Sequence, residues 1–342
     1  MQLSDFDYDL PEELIAQQPL DQRDASRMLV IDRNARNWKD SEFRCLPEYI
    51  RRNDVVVVNN TRVFPARLIG QRDPTGGRVE VLLTREIEPF VWEALVRPAQ
   101  RLKIGARLRF GADLQAEVLD WSTSALRQIR FNGPVESVLD TLGQTPLPPY
   151  IKRPDGTSPD DRERYQTVFA REKGAIAAPT AGLHFTREIA EELQARGARL
   201  VEVTLHVGYG TFEPVRVDNL EDHRVDAEFV QIGEEAARAI NQGRAAGGRV
   251  IAVGTTTTRA LESAVTAEGT IEAIERKTDL TILPGHEFRV TDALLTNFHL
   301  PRSSLLLLVS AFAGFELTLD AYRHAVAERF RFYSYGDCMF VI

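Results

Sequence analysis

The sequence predicts an α/β protein: a three-layer α/β domain built from both chain ends, residues 1–62 and 151–342, interrupted by a small inserted all-β domain, barrel or sandwich, at 63–150. Three features predict it. The unbroken β-branched run VVVV at 55–58 has the pattern of a strand buried on both faces. From Arg62 to Arg130 the apolar segments turn short and alternating, with Gly- and Pro-containing breaks between them. After Tyr165 the rhythm becomes strand, turn and helix, which implies an open sheet covered by helices.

Taken in order, the barrel strands are expected at 78–83, 92–96, 107–110, 115–119 and 126–131, a spacing that suits a small barrel or sandwich. Residues 144–159 carry five prolines and read as a connecting segment. The segment 174–178 reads as a strand, followed by a helix at 186–196 that Gly197 ends. A strand at 200–207, a helix at 234–246, a strand at 249–253, a helix at 259–266 and a strand at 294–296 follow. Ser303 or Ser304 is placed to cap an apolar helix ending near Gly314. A further helix is expected over 318–329, and 330–342 as an extended tail.

Composition excludes several classes. Cys45 and Cys338 are the only cysteines, which removes paired-cysteine zinc sites and argues against a disulfide scaffold. The longest nearly apolar run, 305–315, is too short to span a bilayer. The first ten residues hold three aspartates and no basic residue, unlike a signal or transit peptide, so a cytoplasmic protein with no membrane partner is expected. The net charge of −8 argues against a surface that is basic all over. The cations are nevertheless 37 Arg and 5 Lys, and Arg suits bidentate phosphate contacts and stacking on bases, although genome composition would also enrich it.

In open α/β sheets ligands bind outside the carboxyl ends of strands, and several strands here run into polar clusters. Residues 55–58 lead into Asn59, Asn60, Thr61 and Arg62, which suit sugar hydroxyls, base edges or a carboxylate, or else form an Asx-rich turn. Residues 174–178 lead into Pro179, Thr180, Ala181, Gly182, Leu183 and His184, a histidine just before a helix that serves either chemistry or structure. The strand carrying His206 ends in Gly208, Tyr209 and Gly210, where two glycines let backbone approach a planar ligand and a ring can stack, or simply make a tight turn. Residues 249–253 lead into Gly254, Thr255, Thr256, Thr257, Thr258 and Arg259, an anion-binding pattern at a helix start, or a threonine-capped helix. It lacks the spacing of a dinucleotide fingerprint and the P-loop lysine. Asn297 and His299 follow another strand, and Tyr333, Tyr335 and Asp337 lie near the C-terminus. On strand parity the two tyrosines face one side, as a stacking platform or a closure of the core. Local chemistry alone indicates a two-domain enzyme with a polar, aromatic-lined cleft and selects no reaction.

At these clusters the chain resembles the S-adenosylmethionine:tRNA ribosyltransferase-isomerase family of queuosine biosynthesis. The resemblance runs end to end. It covers FDYDLPEELIAQQP (6–19), RDASRMLVIDR (23–33), VVNNTRVFPARLIG (57–70), RYQTVFA (164–170) and GAIAAPTAGLHFT (174–186). It continues through VTLHVGYGTFEPV (203–215), VGTTTTRALES (253–263), LLTNFHLPRSSLLLLVSAFAG (294–314) and RFYSYGDCMFVI (331–342). Where the family commonly shows H-x-M-H-x-E, this chain has His223, Val225, Asp226 and Glu228, so Asp226 replaces the second histidine. His286 stands where the family has a tyrosine.

The resemblance implies an α/β domain with an inserted barrel. It also implies transfer and isomerisation of the ribosyl moiety of S-adenosylmethionine onto 7-aminomethyl-7-deazaguanine at the tRNA wobble position. Adenine and methionine leave, and no metal or prosthetic group is used. S-adenosylmethionine is then a co-substrate, tRNA the macromolecular partner, and a monomer is expected. A proton beside the sulfonium must be removed, and His184, His206 and His299 are the candidate bases. Gly254 to Thr258 with Arg259 are candidates for the methionine carboxylate, and Asn59, Asn60 and Arg62 for the ribose or the deazaguanine edge. Tyr209, Tyr333 and Tyr335 are candidate stacking rings, and Asp337 a partner for the aminomethyl cation. Arg78, Arg97, Arg101, Arg107 and Arg109 of the barrel are candidates for the RNA. A methyltransferase acting on RNA and a non-catalytic tRNA-binding protein remain the alternatives at this point.

Overall fold

The computed structural model describes residues 1–121, 126–154, 156–208, 210 and 215–342. Contacts divide the chain into two units. The first is Met1–Arg62, Pro149–Lys152 and Gln166–Ile342; the second is Val63–Pro148 and Arg153–Tyr165. The helix Pro159–Arg164 thus falls in the second unit, beyond the boundary at 150 expected from sequence.

The first unit holds a nine-stranded mixed sheet. Its strands are β1 (Arg27–Asp32), β2 (Asn37–Glu42), β3 (Val55–Asn59), β4 (Arg199–Leu205), β5 (Glu228–Ile232), β6 (Val250–Val253), β7 (Ile274–Thr278), β8 (Ala293–Asn297) and β9 (Cys338–Val341). In space the order is β7-β5-β4-β3-β6-β8-β9-β1-β2, with β4, β3, β6 and β8 mutually parallel. The run at 55–58 is the sheet's centre, and its alternation feeds two cores. Val55 and Val57 join Leu29, Ile31 and Leu294 on one face, whereas Val56 and Val58 join Met28, Val30 and Leu295 on the other. Each fully buried Val or Leu contributes roughly 1.5–3 kcal/mol of transfer free energy, so burial on both faces explains the absence of polar alternation here.

Helices cover both faces, giving three layers. Helix α1 (Arg187–Ala195) starts at Thr186, whose hydroxyl accepts from the Ile189 amide at 3.3 Å, and buries Ile189 and Leu193 in the second core. The first core takes α2 (Glu234–Ala245), α3 (Thr255–Ser263), α4 (Ser304–Ala313) and α5 (Phe315–Ala327). Ser303 caps α4 by accepting from the Leu306 amide. Gly254, at φ 95°, permits the turn from β6 into α3. Two expectations are refined. The extended segment 330–342 ends in β9, which lies between β8 and β1. The strand expected at 174–178 is Glu172–Ala175, and Thr180–His184 is a 3-10 turn. Among the described residues no single helix is long and apolar enough to cross a membrane.

The second unit is a closed six-stranded antiparallel barrel. Around it run Arg67–Asp73, Arg78–Glu88, Val91–Arg97, Leu126–Phe131, Leu114–Trp121 and Arg107–Phe110, the last pairing back with the first. Alternation drives it: Val79, Val81 and Leu83 point inward, as do Leu108 and Phe110. The closing strand Arg67–Asp73 is not among those expected from sequence. Its centre is Gly70, where a Cβ would lie 2.5 Å from the Phe110 ring, so the residue that lets the barrel close also breaks the apolar pattern.

Candidate active site

A cleft of about 730 Å³ opens where β6 and β8 end. The last residues of β8 (Thr296, Asn297), the start of α3 (Gly254, Thr255, Thr256), the turn at Pro179 and Thr180, and His299, Ser303, Tyr333 and Ser334 line it, with Tyr150. It thus gathers Thr180, Gly254, Thr255, Thr256, Asn297, His299 and Tyr333 from the candidate list. Tyr150, Ser303 and Ser334 are not on that list. Tyr150 comes from the proline-rich segment, and nothing local in the sequence marks it.

The three candidate histidines occupy three different positions. His299 lines the cleft, with Nε2 2.8 Å from Thr296 Oγ1. Burial drives its pKa down to about 3, so the ring is neutral at physiological pH. Nδ1 has no hydrogen-bond partner among the described residues and is the nitrogen left for a substrate. His184 sits outside the cleft lining. Its Nδ1 meets Ser26 Oγ at 2.9 Å and its Nε2 meets the Asn297 side-chain amide at 3.1 Å, with both nitrogens used. Burial, then the charges of Arg331 and Arg23, push its pKa to about 3 as well. His206 is half-buried, stacked on Phe229 and bonded through Nδ1 to Thr61 Oγ1 at 2.7 Å. Burial lowers its pKa, against the opposing pull of Glu172.

Asn297 is fixed by its donors. Its amide nitrogen faces the Tyr333 and Asp337 carbonyls at 3.0 and 3.3 Å, which orients the side chain and leaves Oδ1 buried with no partner among the described residues. Tyr333 is likewise buried, its hydroxyl without a partner among the described residues, and its ring lies 4.0 Å from that of Tyr150 at 39°. The parity expected for Tyr333 and Tyr335 does not hold. The chain turns at Tyr333, φ 73°, rather than running extended, and Tyr335 is buried outside the cleft lining. Buried polar atoms are almost always paired, so two orphans in one cleft wall mark places for ligand atoms.

Other candidates are held by protein partners or lie outside the cleft lining. Asn59 Oδ1 accepts from the amides of Thr61 and Leu205, and its Nδ2 donates to the Leu205 carbonyl. Asn60 bonds Glu202 and Thr204, while Arg62 is exposed. Thr257 and Thr258 donate back to the carbonyls of Val253 and Gly254 within α3. A Cβ on Gly182 would sit 2.9 Å from Thr167 Cγ2, so that glycine serves packing. The Asp337 carboxylate accepts from the amides of Arg27 and Arg331 at 3.0 and 2.8 Å. Tyr209 lies outside the described residues.

Arg259 faces a second, smaller cavity, together with Gly210, His223, Asp226, Glu228 and Ser304. Leu305 lines both cavities. Glu228 pairs with Arg259 Nη1 and accepts from the Gly208 amide at 2.8 Å. His223 Nε2 meets Ser304 Oγ at 2.7 Å. His286 lies elsewhere, 3.9 Å from the buried Glu262 carboxylate. No group of three or more His, Cys, Asp or Glu among the described residues is arranged to hold a metal ion.

Comparison with known proteins gives a consistent picture. A family model described as queuosine biosynthesis protein matches residues 3–341. A protein of Natranaerobius thermophilus named S-adenosylmethionine:tRNA ribosyltransferase-isomerase is 50% identical over 345 residues, covering 100% of this chain and 99% of that one. A protein of the same name from Acetivibrio thermocellus is 49% identical over 344 residues, covering all of both chains. A crystal structure described as S-adenosylmethionine tRNA ribosyltransferase from Thermotoga maritima is 36% identical, with a TM-score of 0.57 over 99% of this chain and 100% of that one.

Proposed function

The chain belongs to the queuosine biosynthesis protein family, and we propose that the cleft at the ends of β6 and β8 is where it carries out the family's ribosyl transfer. The ribosyl moiety of S-adenosylmethionine moves onto 7-aminomethyl-7-deazaguanine at the tRNA wobble position and is isomerised, giving epoxyqueuosine-tRNA, adenine and methionine.

The observation that carries the placement is the pair of orphaned atoms, Asn297 Oδ1 and Tyr333 Oη, in the wall that also holds His299. An acceptor and a hydroxyl suit a nucleoside, whose amino and hydroxyl groups would satisfy both. The Tyr150–Tyr333 pair offers ring faces to the departing adenine or the incoming base. Gly254, Thr255 and Thr256 add a hydroxyl-lined helix start for ribose oxygens.

The sulfonium acidifies the adjacent C–H, and His299 takes that proton. In the tautomer whose Nε2–H donates to Thr296 Oγ1, Nδ1 holds the lone pair; burial keeps that lone pair unprotonated and also weakens it as a base. His184 acts through Asn297 as a positioning residue, and His206 braces Thr61.

For the RNA, the wobble base lies in a loop and can be splayed into a pocket without melting a duplex. On the barrel exterior Arg78 is opposite Gln71, Gln71 opposite Arg109, and Arg109 opposite Gln115, one exposed row free of carboxylates. Arg107 instead lies between Asp73 and Glu117, and Arg97 opposite Glu80. Arg78 and Arg109 are therefore the phosphate contacts best supported by the register.

The reading is tested by incubating the protein with S-adenosylmethionine and precursor tRNA and separating the products. Free adenine and methionine in equal amounts are expected; S-adenosylhomocysteine would indicate a methyltransferase, and an unconsumed co-substrate a binding protein.

A further inference from the structure

The second cavity combines groups that the reaction as read above leaves unused. Arg259 is 7% exposed and held on two sides, Nε donating to the Leu280 carbonyl at 2.9 Å and Nη1 paired with Glu228. Its Nη2 is buried and has no partner among the described residues. A guanidinium fixed by two anchors with one free edge is a preformed anion site. Apart from Thr281 and Ser304, the remaining wall is apolar, from Val225, Leu280, Ile282, Leu305 and Leu308, and Asp226 stands beside Gly210, where an added Cβ would lie 2.5 Å from its Oδ2.

Charge narrows the ligand. Arg259, Glu228 and Asp226 sum to −1, and His223 is kept neutral by burial and by the neighbouring Arg224 charge. A ligand with one carboxylate, one ammonium and a further positive charge on an apolar chain complements this wall. Its position fits too, since Leu305 lines both cavities and Ser303 and Ser304 face one each. The start of α4 thus borders both cavities.

We infer that the second cavity binds the α-amino-acid end of the sulfonium co-substrate, with Arg259 Nη2 taking its carboxylate and the Glu228–Asp226 side facing its ammonium. This rests on the reading of S-adenosylmethionine as co-substrate. It also separates Arg259 from the Gly254–Thr256 turn, with which the sequence groups it: the turn faces the nucleoside, the arginine faces the amino acid.

The test compares S-adenosylmethionine with its decarboxylated analogue, using the full-length enzyme, precursor tRNA and adenine release. The wild type is expected to use the analogue with kcat/KM lowered about 100-fold, because a site built to pair a group rejects a ligand lacking it. Arg259→Lys keeps the charge for Glu228 but loses the second edge. It should lose activity on S-adenosylmethionine and discriminate between the two by less than about threefold. Equal use of both compounds by the wild type overturns the inference without needing any variant, and so does undiminished discrimination by Arg259→Lys. Absence of adenine release from S-adenosylmethionine itself would overturn the reaction read above, and this inference with it.

Discussion

The side-chain amide nitrogen of Asn297 lies 3.1 Å from His184 Nε2, so a histidine buried behind the cleft joins the Tyr333 and Asp337 carbonyls in orienting an asparagine in its wall. Asn297→Ala should therefore act twice. Removing the amide donor from the Asp337 carbonyl, and one of two donors from the Tyr333 carbonyl, costs about 1–3 kcal/mol of stability, and losing Oδ1 lowers kcat/KM by roughly 10- to 100-fold. His184→Ala should lower kcat with intact co-substrate binding. Melting curves and steady-state kinetics check both; an Asn297→Ala enzyme that is destabilised yet fully active would show that Oδ1 meets no substrate.

Acid should unfold the protein through the same histidines. The folded pKa values of His184 and His299 lie near 3, below the unfolded value of 6.5. The unfolded chain then binds more protons between these limits. Stability is accordingly full above pH 6.5 and falls as pH drops towards 3, by up to on the order of 4–5 kcal/mol per histidine. Denaturant midpoints measured from pH 7 to pH 5 should decline, and His184→Gln should flatten the decline. An unchanged slope in that variant would place the acid sensitivity elsewhere.

Gly174→Ala tests the support under His206. The added Cβ would lie 2.5–2.7 Å from three atoms of the imidazole ring, which is held between Phe229 and Thr61. Overpacking of this kind typically costs about 1–3 kcal/mol. Thermal unfolding reads the loss, and a wild-type melting temperature would mean that the ring moves freely.

On the barrel, Arg78→Glu and Arg109→Glu should each weaken tRNA binding, while Arg107→Glu, already flanked by Asp73 and Glu117, should change little. Removing one true phosphate contact flattens the slope of log affinity against log salt by about 0.7–0.9. Filter binding across a salt series distinguishes the residues, and equal effects at Arg107 and Arg109 would reject the row.

Much of the scaffold was legible because burial writes itself into composition. The run at 55–58 announces a two-sided strand, and 78–83 announces a barrel wall. Arg67–Asp73 was not legible, because Gly70 at its centre yields to the Phe110 ring and interrupts the alternation. The sequence puts forward Gly254, Asn297 and His299, which line the cleft, on the same footing as Asn59, Asn60 and Asp337, which do not. A buried amide or carboxylate at a strand end satisfies a backbone N–H as readily as a ligand, and only tertiary position decides which. Tyr333 and Tyr335 illustrate the other limit: parity holds in a strand, and the chain turns at Tyr333.

The most direct measurement is adenine release from S-adenosylmethionine with precursor tRNA, by the wild type and His299→Gln side by side. The wild type should release adenine and methionine one for one. His299→Gln should bind tRNA normally and release adenine roughly 10²- to 10⁴-fold more slowly, the usual contribution of a positioned base. Unchanged turnover in His299→Gln would contradict the assignment of the base and of the cleft built around it.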